Sequence, residues 1–321
     1  MTLAGDPAVA SASDGGATSE GPPARQTYLE RLASRSARAG TVLCLGLDPD
    51  PAALPPGFSP DLRGVTEFAA LVLEAALPAA AAVKPNLAFF EAFGSEGLAA
   101  LERLRAAIPA DVPVVMDAKR GDIGSTAARQ AVALFDGLGA DAITVSPYLG
   151  EEAIAPLLER VDRFAYVLCR TSNPGAAELQ GLRVEADPHG GHPAEPLYAR
   201  VARQASSWGP GGTVGLVVGA TAPAELAEIR GIAAGLAFLV PGVGAQGGDE
   251  AAVLRDGRAT VAPAGGRPGG GLLVNVSRGI ARAGRAPGDA AEGSHAAARD
   301  ALRDALAEAA RGWAARLPVL P

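Results

Sequence analysis

The sequence predicts a (β/α)8 TIM barrel, a parallel eight-stranded barrel ringed by outer helices. Three observations predict it. Eight short apolar runs recur along the 321 residues, segments of helical spacing separate most of them, and polar residues follow nearly every run at once. Runs of Val, Ile and Leu without polar alternation suit strands buried on both faces, and their number and order fit a closed barrel better than an open doubly wound sheet.

In chain order the strands are expected at Thr41 to Leu47, Ala81 to Lys84, Val112 to Lys119, Ala142 to Ser146, Phe164 to Arg170, Val214 to Gly219, Leu236 to Pro241 and Leu272 to Ser277, each bounded by turn residues. Ala, Leu, Glu and Arg recur with helical spacing over Glu67 to Leu77, Gly97 to Ala107, Thr126 to Leu138, Glu151 to Arg160, Pro196 to Ser206 and Ala224 to Ala233. A long closing helix is expected over about 290–315, outside or beneath the barrel. Residues 1–24, rich in Ala, Ser, Gly, Asp and Pro without periodicity, read as a disordered tail ahead of a single domain over 25–321. A second low-complexity segment, Asp256 to Gly271, reads as a mobile Gly/Pro-rich loop at 256–271 and as a candidate lid beside a phosphate site.

The formal net charge of -7 gives no general attraction for nucleic acid or an anionic membrane, so an anionic ligand must be gripped locally. No apolar stretch reaches the length of a transmembrane helix, and Met1 to Ala24 lacks the charged start and apolar block of a signal peptide. The two cysteines, Cys44 and Cys169, each lie inside an apolar run and read as buried thiols of a reducing cytoplasm rather than a disulfide framework. None of the three histidines, His189, His192 and His295, falls at a strand end, and no metal site is expected.

The charges at the strand ends carry the functional reading. In Val114-Val115-Met116-Asp117-Ala118-Lys119-Arg120-Gly121-Asp122-Ile123 an apolar strand stops in Asp, Lys and Asp. Strand alternation puts Asp117 and Lys119 on one face about 7 Å apart, and Gly121 lets the chain turn Asp122 back toward the same pocket. Alone, such a match equally describes a surface ion pair at a strand end. The other strand ends add Asp48, Lys84 and Asn86, then Thr171, Ser172 and Asn173, then Gly244, Gln246 and Gly247, and finally Ser277, Arg278 and Gly279. Acids and lysines around one mouth keep one another ionised where burial would otherwise neutralise them. The Gly-rich turn carrying Gln246, with Ser277-Arg278-Gly279-Ile280 opening a short helix one strand later, offers a phosphate backbone N–H groups, an amide and a bidentate guanidinium. The plainer alternative is glycine used for tight turns only.

Taken together, Asp117-Ala118-Lys119-Arg120-Gly121-Asp122-Ile123, Lys84-Pro85-Asn86, Thr171-Ser172-Asn173-Pro174-Gly175-Ala176, Pro241-Gly242-Val243-Gly244-Ala245-Gln246-Gly247-Gly248-Asp249 and Asn275-Val276-Ser277-Arg278-Gly279 resemble the orotidine 5'-phosphate decarboxylase family. The likeness is to its bacterial subgroup with Lys-Pro-Asn and Ser-Asn-Pro-Gly patterns, and it runs from about Arg25 to Ala315. The resemblance implies conversion of orotidine 5'-phosphate to uridine 5'-phosphate and carbon dioxide in pyrimidine biosynthesis, without metal or organic cofactor, by a cytoplasmic homodimer with active sites at its interface. It implies a catalytic array of Lys84, Asp117, Lys119 and Asp122, with Lys119 stabilising and protonating the C6 carbanion. Asp122 and Thr126 would reach the partner's site and touch the ribose. Asp48 and Lys84 would hold another ribose hydroxyl, Ser172 the pyrimidine, and Gln246, Ser277 and Arg278 the phosphate end.

Two other readings compete. A magnesium-dependent phosphosugar aldolase of the hexulose-phosphate synthase type carries a similar Asp-x-Lys-x-x-Asp strand, but Lys84 stands where that chemistry wants a carboxylate and would repel a divalent cation. A catalytically silent nucleotide-binding barrel would have no need of four filled charged positions.

Overall fold

Eight parallel strands form the centre of the computed structural model, which describes residues 26–283 and 295–320. They are β1 Leu43–Leu47, β2 Ala82–Pro85, β3 Val115–Arg120, β4 Ala142–Val145, β5 Phe164–Arg170, β6 Val214–Val218, β7 Ala237–Pro241 and β8 Leu273–Val276. Their order is β2-β1-β8-β7-β6-β5-β4-β3, and parallel bridges Val83↔Val114 and Asn86↔Asp117 join β2 to β3 and close the barrel. The tail expected over 1–24 lies outside the described residues.

Strand alternation divides the core in two. Outward-facing Leu43, Leu45, Val83, Met116, Ile143, Val167, Leu216, Phe238 and Val274 pack under the helices. Inward-facing Cys44, Ala82, Val115, Ala142, Phe164, Tyr166, Val217, Leu239 and Leu273 fill the lower barrel, plugged from below by Tyr28, Leu29 and Leu32 of the helix Tyr28–Ala39. Two residues further along the strands the inward positions turn polar: Lys84 follows Ala82, Asp117 follows Val115, Thr144 follows Ala142 and Asn275 follows Leu273. The same period that builds the core therefore aims polar groups at the mouth.

Two of the helices begin where local capping chemistry dictates. Thr27 and Glu30 form a capping box at the start of Tyr28–Ala39, and Gly40 ends it in the left-handed conformation. Asp61 caps Leu62–Ala76, so this helix starts five residues before the expected Glu67. The helix expected over Glu151 to Arg160 shrinks to Ala155–Leu158, because Pro156 has no N–H to continue the bonding that the Ala155 N–H begins on the Glu151 carbonyl. The Thr126 to Leu138 helix begins at Gly124 and runs to Ala131, then widens into a π turn over Val132–Gly137. After β5 the chain makes a small antiparallel pair, Arg183–Val184 with Glu195–Pro196, and His189 and His192 lie in the loop between them.

The closing helix spans His295–Arg316 and packs outside the barrel against Leu62–Ala76. Beyond it, the Leu317 carbonyl accepts from Thr41 Oγ1 at 2.7 Å and from Val42 N–H at 2.9 Å, and Thr41 bridges Pro318. The 256–271 segment lies at this same lower end. Gly269 packs against Val42, and Ala264 N–H reaches the Gly235 carbonyl ahead of β7 at 3.1 Å. It is at the opposite end of the barrel from the strand ends that carry Gln246 and Arg278, which removes it as their lid.

Candidate active site

At the upper end, one carboxylate joins two ammonium groups. Lys84 Nζ donates to Asp117 Oδ2 at 2.6 Å and Lys119 Nζ donates to Asp117 Oδ1 at 2.5 Å. The Lys84 side chain is 5% exposed and that of Lys119 53%, so the first charge is a fixture of the wall and the second faces the opening. Burial would raise the Asp117 pKa, but the two ammonium groups outweigh it and hold the carboxyl well below its ordinary range. Burial likewise opposes the charge on Lys84, and Asp117 and Asp48 more than offset it, so its pKa lies above the usual lysine value.

Plain alternation does not account for the position of Lys119. Between β3 and β4 the register runs Val115↔Ala142 and Met116↔Ile143, then jumps to Arg120↔Val145, so β3 bulges across Asp117, Ala118 and Lys119. Lys119 has φ 47°, the only positive φ of a non-glycine residue among the described residues. Thr144 of β4 occupies the step, accepting from the Ala118 and Lys119 N–H groups at 3.0 Å each and donating to Asp117 Oδ1 at 3.1 Å.

Two adjoining cavities share Lys84, Asp117 and Pro241. One, of about 270 Å³, is lined by Asp48, Asn86, Gln246, Asn275, Ser277, Arg278 and glycines 242, 244 and 279. The other, of about 250 Å³, is lined by Lys119, Thr144, Leu168, Thr171, Ser172, Asn173, Val217 and Leu239. Ser172 Oγ donates to Gln246 Oε1 at 3.0 Å, linking the strand ends of β5 and β7. Asp48 Oδ1 and Asn275 Oδ1 are buried without a hydrogen-bond partner among the described residues, which makes them acceptors suited to a ligand hydroxyl or amide. Room for Asn275 comes from Gly46, where a Cβ would stand 2.7 Å from Ser277 Cβ and 3.0 Å from Asn275 Oδ1.

The Gln246 turn depends on Gly242 at φ 100° and Gly247 at φ 70°. The short helix Arg278–Ala281 is braced from behind, since Trp313 of the closing helix donates through Nε1 to the Gly279 carbonyl at 3.3 Å. Arg316 stacks on Trp313 at 4.1 Å and pairs with Glu250, at the start of the helix after the Gln246 turn.

Asp122 and Thr126 are not brought to these cavities. Asp122 Oδ1 accepts from the Ile123 N–H at 2.7 Å, Thr126 is exposed, and neither lines the pocket holding Asp117. The turn back that Gly121 was expected to allow does not occur within one chain, because the Asp122 N–H is held by the Ala153 carbonyl at 3.3 Å. Sequence alone gave no site role to Thr144, Asn275 or Trp313, although Asn275 opens one of the motifs quoted above. The signal for the first two was a polar side chain at an inward position of an apolar run, whereas nothing local marks Trp313.

The match with known proteins covers all eight strands of the barrel. The family model for orotidine 5'-phosphate decarboxylase / HUMPS matches residues 41–293. The orotidine 5'-phosphate decarboxylase of Roseiflexus castenholzii is 46% identical over 285 residues, covering 88% of this chain and 98% of that protein. Among solved structures, the orotidine monophosphate decarboxylase of Leishmania donovani has a TM-score of 0.68 and 40% identity, covering 87% of this chain and 99% of that one. A UMP synthase of the same organism has a TM-score of 0.69 and 41% identity over 88% of this chain, which spans 56% of that longer protein. A barrel whose mouth carries a lysine–aspartate–lysine array opposite a glycine-and-arginine cradle, with relatives this similar over nearly their full length, belongs to the orotidine 5'-phosphate decarboxylase / HUMPS family.

Proposed function

We propose that the chain decarboxylates orotidine 5'-phosphate to uridine 5'-phosphate, and the observation that carries this reading is the Lys84–Asp117–Lys119 array on a chain so similar to decarboxylases of that substrate. Breaking the bond from C6 to the carboxylate releases carbon dioxide and leaves its electron pair at C6, in an orbital that cannot spread into the ring. A fixed cation beside C6 is the direct remedy. Lys119 supplies it, then gives a proton from Nζ to C6 and is recharged from water. Asp117 keeps that ammonium charged and aimed, and Lys84 fixes Asp117 in turn.

The same cradle orders the rest of the substrate. Arg278, Gln246, Ser277 and the neighbouring N–H groups take the phosphate, Ser172 the pyrimidine, and Asp48 with Lys84 a ribose hydroxyl. Binding energy from the distant phosphate then draws the loops onto the charged array. Asp122 and Thr126 act in the site of a second copy. Supporting this, they are flanked by exposed apolar side chains, Ile123 at 63%, Tyr148 at 78% and Leu149 at 50% exposure, a surface that a homodimer would cover. Two buried, unpaired thiols, Cys44 and Cys169, suit a cytoplasmic enzyme, and no described helix is long and apolar enough to cross a membrane.

The aldolase alternative is disfavoured by Lys84, whose ammonium sits 2.6 Å from Asp117 where a metal-bound phosphosugar would need a ligand. The test is the ultraviolet absorbance of orotidine 5'-phosphate with purified protein in excess chelator, beside Lys119→Ala. The expected result is loss of the substrate band with wild type only. An unchanged band in both samples, or turnover that requires magnesium, would overturn the reading.

A further inference from the structure

The hydroxyl of Thr144 sits at the junction of everything that aims Lys119. Its surroundings are buried, with the residue 2% exposed, and its bonding capacity is full. A threonine hydroxyl has one hydrogen to give and two lone pairs. Here the lone pairs take the Ala118 and Lys119 N–H groups and the hydrogen goes to Asp117 Oδ1. That oxygen also accepts from Lys119 Nζ. Nothing is left over for a substrate, although Thr144 lines the cavity beside the array.

We propose that Thr144 is a positioning residue for the decarboxylation. Its hydroxyl holds the β3 bulge and the left-handed Lys119 backbone, and so sets where the ammonium meets C6. The inference rests on the decarboxylase reading above. A lysine at φ 47° is a conformation that L residues leave unless neighbours enforce it, and the two N–H groups that would relax with it are those Thr144 takes. Bulges beside active sites serve to re-aim a side chain, and here the device that fixes the bulge comes from the adjacent strand.

Thr144→Val keeps the shape and removes the hydroxyl, while Thr144→Ser keeps the hydroxyl and removes the methyl. For Thr144→Val, kcat should fall about 100-fold, the effect of a misplacement near 1 Å. KM and the affinity for uridine 5'-phosphate should stay within about threefold, because the lost contact bears on the reacting centre rather than on ligand binding. Thr144→Ser should restore most of kcat. If the valine variant does not fold, Thr144→Ala carries the same measurement. The inference is overturned if the folded variant without the hydroxyl turns over within about threefold of wild type, or if serine loses as much as valine. Wild type that leaves orotidine 5'-phosphate unchanged would instead overturn the decarboxylase reading.

Discussion

At the scale of single residues, Asp117 is held ionised by two partners, and this gives a sign to the pH dependence. A carboxyl whose folded pKa is depressed adds stability above its unfolded value, near pH 4, and loses it as the pH falls through the folded value. Thermal unfolding between about pH 6 and pH 3 should therefore lower the midpoint of wild type more steeply than that of Asp117→Asn. Equal slopes would mean that Asp117 is not held in its charged form. Lys84 acts in the opposite sense. Its raised pKa contributes stability that is full below the ordinary lysine value and lost only as the pH climbs through the folded one. For Arg278→Ala, activity on orotidine 5'-phosphate should fall far more than activity on orotidine lacking the phosphate, and equal losses would remove Arg278 from the phosphate cradle. That Lys84 and Asp117 share the inward face was legible in the sequence, because alternation along β2 and β3 fixes it, and the spacing also named Lys119 as their neighbour although the bulge in β3 breaks the alternation there. The backbone of Lys119 was not, since its conformation is imposed by Thr144, a residue of another strand.

At the scale of elements, the barrel strands were legible because each is a compact apolar run between turn residues. Helix limits were less so. Pro156 cut one short, and the helix Tyr28–Ala39 went unmarked although Thr27 and Glu30 carry its capping signal. The lower ends of β3 and β4 are fixed by a device that no periodicity reveals. Asp141, 3% exposed, accepts from the Val114 N–H at 2.9 Å and from Arg31 at 2.6 Å, with Arg163 at 3.4 Å and Arg105 at 3.5 Å also paired to it. Asp141→Ala would leave that N–H and three guanidinium groups without this acceptor, so chemical denaturation should show a loss of about 3–5 kcal/mol. Turnover per folded molecule should be unchanged, because Asp141 stands at the end of the barrel away from the charged array. A loss of turnover at full folding would contradict that separation.

At the scale of the whole molecule, the placement of Asp122 and Thr126 away from their own chain's cavities leads to a mixing experiment. Lys119→Ala and Asp122→Ala should each be nearly inactive. Mixed and allowed to exchange subunits, they should regain about a quarter of wild-type activity, because in the proposed homodimer half the pairs would be mixed and each of those would hold one intact site of two. Failure to regain activity, with mixed dimers present, would place Asp122 in its own chain's site. A division of this kind lies beyond what one chain's sequence displays, since the pattern shows which charges exist and not whose pocket they enter. The bracing of the proposed phosphate cradle by Trp313, and of the first strand by Leu317 and Pro318, has a further consequence for biogenesis. A ribosome makes β1 and the Gln246 turn long before it makes residues 313–318. On the proposed function, the cradle stays unfinished during most of translation, and a nascent chain would gain its grip on nucleotide only once that late segment has emerged.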